Sequence, residues 1–164
     1  MKKLLLSALL ASLALGSSAF AGNVKIPKDE PLVVINFPKD WNVEVEDDTI
    51  NANSADDEIY VNVEIDDSDS IEGAVLESIG YLQKNKVKID KSTEKQTEAK
   101  VNGLDATDIE WTGTDEDGPC KCGLTFYAIS KDKAVVILYW ASVDGEKKHA
   151  EDIQKIFNSV KKAN

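Results

Sequence analysis

The sequence predicts an α+β fold, an antiparallel sheet sandwiched between two helices, on three observations. Apolar and polar residues alternate through residues 41–66, take helical spacing after Ser70, and return to alternation after Asn85. Asn102-Gly103, set between two alternating runs, is the strongest two-residue hairpin signal there is. The run 134–141 is apolar on both faces, so it belongs in the middle of a sheet that is covered on both sides. One helix covers only one side, which is why two are needed.

Taken in order, Met1-Lys2-Lys3 is a basic start, residues 4–15 are apolar apart from Ser7 and Ser12, and Ala19 and Ala21 sit where a signal peptidase reads small residues. As a helix the apolar run spans roughly 18 Å, short of the ~30 Å hydrocarbon core of a bilayer. Residues 1–21 therefore read as a cleaved export signal, and the product as a periplasmic or secreted protein with no stable membrane insertion. Residues 22–31 are polar and carry Pro27 and Pro31, a flexible lead-in to one domain over 32–164.

Within that domain, 32–37 is a short apolar strand stopped by Pro38. Trp41, Val43 and Val45 alternate with Asn42, Glu44 and Glu46, and residues 49–55 add a short strand. Ile59, Val61, Val63 and Ile65 line one face of the next strand. The helix that follows sets Ile71, Val75, Ile79 and Leu82 on one stripe, with Asp69 or Ser70 as cap and Glu72 near its positive end. Gly73 and Gly80 share a face of it and each costs about 1 kcal/mol against Ala, either simply tolerated or marking a close approach to the sheet. Strands 95–101 and 104–111 flank the Asn102-Gly103 turn, Asp115-Glu116-Asp117-Gly118 turns into 122–129, and Lys131-Asp132 turns into 134–141. A closing helix over 145–160 buries Ala150, Ile153, Ile156, Phe157 and Val160, capped by Asp144.

This layout resembles the PsbP-like family. Phe37-Pro38-Lys39-Asp40-Trp41 is similar to the F-P-x-x-W segment at the start of its domain, and the Asn102-Gly103 hairpin, the long apolar strand 134–141 and a closing helix ending Phe157-Asn158-Ser159-Val160-Lys161 follow in the same order. The resemblance covers most of 33–161. It implies a six- or seven-stranded antiparallel sheet between helical layers, the PsbP-like α/β/α sandwich. It brings no catalytic residues, because the family works mainly by contacting partners, and no member's own partner motif transfers residue by residue.

Charge narrows the partners. The chain has 30 Asp and Glu against 19 Lys and no Arg, a net charge of −11, and loss of Lys2 and Lys3 makes it more acidic still. A nucleic-acid partner needs a basic stripe, and an anionic membrane surface needs clustered Lys or Arg, so both are excluded. Without Arg there is no planar fork for carboxylates or phosphates, and no Gly-rich loop accompanies any Lys. No cofactor is implied.

The search for catalysis finds one imidazole, His149, at the edge of the closing helix's apolar stripe, where a structural role is the commoner one. No Gly-x-Ser-x-Gly elbow and no His-Glu-x-x-His helix is present. Paired carboxylates run glycoside hydrolysis without His, but the acid clusters 66–69 and 115–117 fall at turns, where Asp solvates a loop or caps a helix. The first cluster lacks the sixth-position Gly and twelfth-position Glu of a calcium-binding EF-hand.

Cys120-Lys121-Cys122 is the most unusual segment. In an oxidising compartment the two cysteines are candidates for a disulfide, provided Pro119 and Gly123 impose a turn that shortens the roughly 6.7 Å between residues two apart on a strand. Free thiols, thiol exchange and an incomplete soft-metal site at Cys120 and Cys122 are the other readings. Trp41 and Trp111, with Asp115 and Asp117 of the adjoining turn, are the residues offered for a cleft or partner surface, although packing is the commoner role of a tryptophan. The functional expectation is an exported binding module contacting a protein or envelope component, with a thiol-redox or soft-metal protein built on Cys120 and Cys122 as the alternative.

Overall fold

The protein is described by a computed structural model over residues 22–67 and 70–164. The export-signal reading of 1–21 lies outside the described residues, as do Ser68 and Asp69 of the first acid cluster. The elements in chain order are β1 (Asn23–Ile26), β2 (Val33–Asn36), β3 (Asn42–Glu46), β4 (Thr49–Asn53), β5 (Ile59–Asp66), α1 (Ile71–Lys84), β6 (Lys88–Val101), β7 (Leu104–Thr114), β8 (Pro119–Ala128), β9 (Ala134–Ser142), α2 (Val143–Lys148), α3 (Ala150–Ser159) and β10 (Lys161–Lys162).

Seven strands form one antiparallel sheet in the order β3-β4-β5-β9-β8-β7-β6. The two-sided run stands at its centre as β9, paired with β5 on one side and β8 on the other. Alternation along it builds two cores. Val136 and Leu138 meet Leu124, Phe126, Ile109 and the α1 residues Ala74 and Leu82. Val135, Ile137, Tyr139 and Ala141 meet Ile153 and Ile156 of α3 together with Ile26, Val33 and Ile35. The α1 layer starts as the sequence indicates, with Ser70 as cap and its Oγ accepting from Gly73 N at 3.2 Å. Its buried stripe is Ala74, Ser78, Ile79 and Leu82, while Ile71 is exposed. Gly80 has open space around it, so no close approach requires that glycine.

The second layer differs from the expectation of one helix. β2 does not join the main sheet; it is the middle of a three-stranded sheet, β1-β2-β10. The lead-in read as flexible supplies β1, whose Ile26 is fully buried, and Lys28 N reaches Asp47 O at 2.8 Å. Four residues are too few for a period of two to show, so the signal in Val24 and Ile26 is lost beside Pro27. The closing helix is two helices: His149 breaks it, with φ −106° and ψ 17°. Its start is capped by Ser142, whose Oγ accepts from Gly145 N at 2.9 Å, not by Asp144.

Two local devices hold α3 against the sheet. Asn102 and Gly103 take φ of 50° and 84°, the left-handed pair a tight hairpin demands. The Asn102 amide then donates to Asn158 O at 2.8 Å and Val160 O at 2.9 Å, satisfying carbonyls at the end of α3. Gly123 faces Tyr139 across β8 and β9, and a Cβ there would lie 2.0 Å from Tyr139 Cε1, so the missing side chain is what admits the ring. Gly123→Ala is therefore expected to lower the free energy of unfolding by about 1–3 kcal/mol in urea melts. The loss should shrink in a Tyr139→Leu background, and an equal loss in both backgrounds would place the clash elsewhere.

Candidate functional site

Strand alternation decides which side chains meet on each face. On β7 it turns Ala106, Asp108 and Glu110 towards α3 and Ile109 and Trp111 towards α1. In register with them lie Ala99 on β6, Thr125 and Tyr127 on β8, and, beyond Gly123, Tyr139 on β9. α3 crosses this surface without covering its β6–β7 wing. Between them runs a groove of about 290 Å³, floored by Val101, Ala106, Tyr127 and Tyr139 and walled by Glu146, Ala150, Ile153 and Phe157.

Both ends of the groove are fixed. At one, Tyr127 Oη donates to Phe157 O at 3.0 Å, and Phe157 meets Tyr139 edge to face at 5.6 Å. At the other, Lys121 Nζ lies 2.7 Å from Glu146 Oε2. Asp108 sits half-buried between them, and its Oδ1 accepts from Thr125 Oγ1 at 2.6 Å. Burial pushes the Asp108 carboxyl above the usual aspartate range, and the Thr125 hydroxyl opposes that only in part. Among the described residues neither Asp108 nor Glu110 has an ion-pair partner. An apolar floor with an acid at mid-depth suits a ligand that is part hydrocarbon and part cation.

On the opposite face a wider, more polar cleft of about 530 Å³ lies between α1 and β4–β5. There Tyr60 and Tyr81 hydroxyls meet at 2.6 Å, Tyr60 also bonds Asn51 Oδ1, and Asn62 Nδ2 donates to the same oxygen at 3.1 Å. Trp140 packs on Tyr60 with ring centroids 4.3 Å apart. These polar groups bond mainly to one another. Glu64 beside them is pushed up, first by burial and then by the charges of Asp66, Glu77 and Asp48.

The residues singled out from sequence are placed as follows. Cys120 and Cys122 are free thiols with their sulfurs 4.0 Å apart, 1% and 0% exposed. The disulfide candidate is not formed, because Pro119 and Gly123 impose no turn: both lie inside the regular strand β8. The thiol contact and burial both push Cys122 up, while the same contact draws Cys120 down. As a soft-metal site the pair offers two sulfurs wrapped in Trp111, Leu124 and Leu82, and no cluster of three or more His, Cys, Asp or Glu suited to a metal occurs among the described residues. Trp41 and Trp111 are 0% and 2% exposed and belong to the two different cores, so neither indole is presented at a surface. Asp115 Oδ1 accepts from Asp117 N and Gly118 N, each at 3.0 Å, which closes its own turn, and Asp117 is exposed there. His149 sits between carboxylates, Nε2 at 3.1 Å from Asp56 and Nδ1 at 3.5 Å from Asp152, joining the β4–β5 turn to the α2–α3 break.

Asp108 was not among the residues singled out, although the sequence carries a signal for it. The alternation of 104–111 puts it on the same face as Leu104 and Ala106, an acid at a core-facing position.

No protein-family profile matches the chain, and no curated protein does. Solved structures do. Cyanobacterial PsbP (CyanoP) from Synechocystis sp. PCC 6803 superposes with a TM-score of 0.60 at 7% identity, over 90% of this chain and 96% of that one. LpqN of Mycobacterium tuberculosis, described as involved in cell envelope biogenesis, gives 0.59 at 14% identity, over 87% and 91%. A Bacteroides thetaiotaomicron protein gives 0.57 at 11% identity, covering 88% of this chain but 50% of the other, so the chain spans half the length of that protein. The fold is thus PsbP-like, and is shared with LpqN.

Two outcomes follow from this geometry. Protein purified without reductant should react slowly with a thiol reagent when native and release both thiols on denaturation; finding neither in the unfolded chain would restore the disulfide. Because the folded state raises the Glu64 pKa, it binds the proton more tightly than the unfolded chain, and stability falls as pH rises from the ordinary glutamate range through the raised value. Glu64→Gln should accordingly raise Tm at pH 7 by on the order of a degree or two, and the gain should vanish in melts at about pH 4.

Proposed function

We propose that the protein is an exported, non-enzymatic binding module that contacts a protein or another envelope component through the groove between α3 and the β6–β7 wing. The observation that carries this is the groove itself: an apolar floor with the half-buried carboxylate of Asp108 set into it, paired with no cation among the described residues. Three further features support it. Residues 1–21 read as an export address. The fold is the one LpqN and CyanoP display. The single histidine is engaged by Asp56 and Asp152 rather than by a nucleophile. Among the described residues no helix is long and apolar enough to cross a membrane.

The thiol-redox reading rests on the 4.0 Å approach of Cys120 and Cys122, and the burial of both sulfurs leaves an exchange partner no route to them. The groove reading is tested by recovering partners from envelope extract with tagged protein. Ala99→Trp, which fills the groove mouth, should cut recovery about tenfold, whereas Leu76→Ser on the exposed face of α1 should leave it unchanged. Equal recovery by both variants would refute the groove as the contact surface. Catalytic turnover abolished by replacing one carboxylate would refute the non-enzymatic reading.

A further inference from the structure

Resting on the groove reading, we infer that the occupant is a partner polypeptide that inserts a Lys or Arg side chain, flanked by apolar residues, with its cationic head on Asp108 and its neighbours against Val101 and Ala106 of the floor and Phe157 of the wall.

Charge is the first argument. The carboxylates of Asp108, Glu110 and Glu146 all border the groove. Glu146 is neutralised by Lys121, and Lys95 is the cross-strand partner of Glu110 in register. Asp108 has neither. A carboxylate offers about four lone-pair positions, and Thr125 Oγ1 fills one of them. The chain contains no Arg, so it has no guanidinium of its own with which to satisfy the rest. The burial that pushes Asp108 upwards is the same burial that makes an arriving cation worth more here than at an open surface.

Size and position argue for a polypeptide. At about 290 Å³ the groove stands at the lower limit of the roughly 300–1,000 Å³ that encloses a whole drug-sized ligand, so it suits a side chain or two of a larger body. It opens towards β6, the end strand of the sheet, whose Ala99 forms its outer lip. A chain lying along that edge is about two strand spacings, roughly 10 Å, from β7. A long basic side chain leaning inwards over Ala99, whose single methyl leaves the way open, spans most of that gap, the hydrogen bond and the Asp108 side chain span the rest, and its methylene stem lies on the apolar floor.

The test uses protein produced from the full-length chain, isotope-labelled, with amide shifts of Ala106, Asp108, Thr125 and Phe157 followed by NMR. The probes are the capped pentapeptide acetyl-Ala-Leu-Lys-Leu-Ala-amide, the same peptide with norleucine in place of lysine, and hexylammonium. The lysine peptide should shift these amides and bind about tenfold more tightly than the norleucine peptide, or about 1.4 kcal/mol. Asp108→Asn should bring the lysine peptide down to the norleucine value without changing the latter, and the comparison of the two peptides on the native protein stands even if that variant does not fold. Equal binding of both peptides overturns the cationic anchor and leaves the groove as a plain apolar contact surface. Shifts from hexylammonium with a silent lysine peptide overturn the polypeptide and assign a small organic cation. Silence from all three overturns the groove reading together with the inference.

Discussion

The fold depends on one strand that must be buried on both faces. Val135, Val136, Ile137, Leu138 and Tyr139 of β9 are all buried, and each side chain taken fully out of water contributes about 1.5–3 kcal/mol. That requirement puts β9 at the centre of the sheet and demands a layer above and a layer below. α1 supplies one. α3 has ten residues, about 15 Å of helix, whereas seven strands side by side are roughly 29 Å wide. A helix of that length cannot cover the sheet. The small sheet β1-β2-β10 completes the cover over β3–β5, bringing Ile26, Val33 and Ile35 onto Ile50, Val61 and Val63. The β6–β7 wing receives no such supplement, and the groove is what remains open.

The parts of this arrangement legible in the sequence are those whose signal is local or two-sided. The doubled apolar face of 134–141 locates the central strand with no knowledge of its neighbours, and Asn102-Gly103 locates a hairpin because few other pairs tolerate two left-handed residues in succession. Ser70 announces the start of α1 for a similar reason. What is not legible is set by contacts distant in sequence. β10 is two exposed lysines, and only its backbone pairing with β2 makes it a strand. The break at His149 falls where that side chain meets Asp56 on a turn far upstream, and nothing in the helical period of 145–160 registers that contact. Trp41 and Trp111 illustrate the same limit. Strand alternation shows that each faces one side of a sheet, but whether that side meets a partner or a core depends on layers the local sequence does not describe.

The neutral polar cluster on one face of the sheet and the acid on the other are held differently, and that difference bears on the site. On the α1 side, Asn51, Tyr60, Asn62 and Tyr81 form a set in which hydroxyls and amides serve one another, as polar groups taken from water must if they are not to cost stability. On the α3 side, Asp108 and Thr125 occupy a cross-strand pair that apolar residues would fill with gain. Thr125 is 5% exposed, so its hydroxyl is committed to the acid and not to water. Thr125 therefore holds a carboxylate that burial disfavours. Local departures from the apolar rule that are built and held, but not closed, are where binding sites are found. The constraint imposed by β9 explains why the wing is open. Asp108, held by Thr125 and, among the described residues, opposed by no cation, explains what kind of group the opening is shaped to receive.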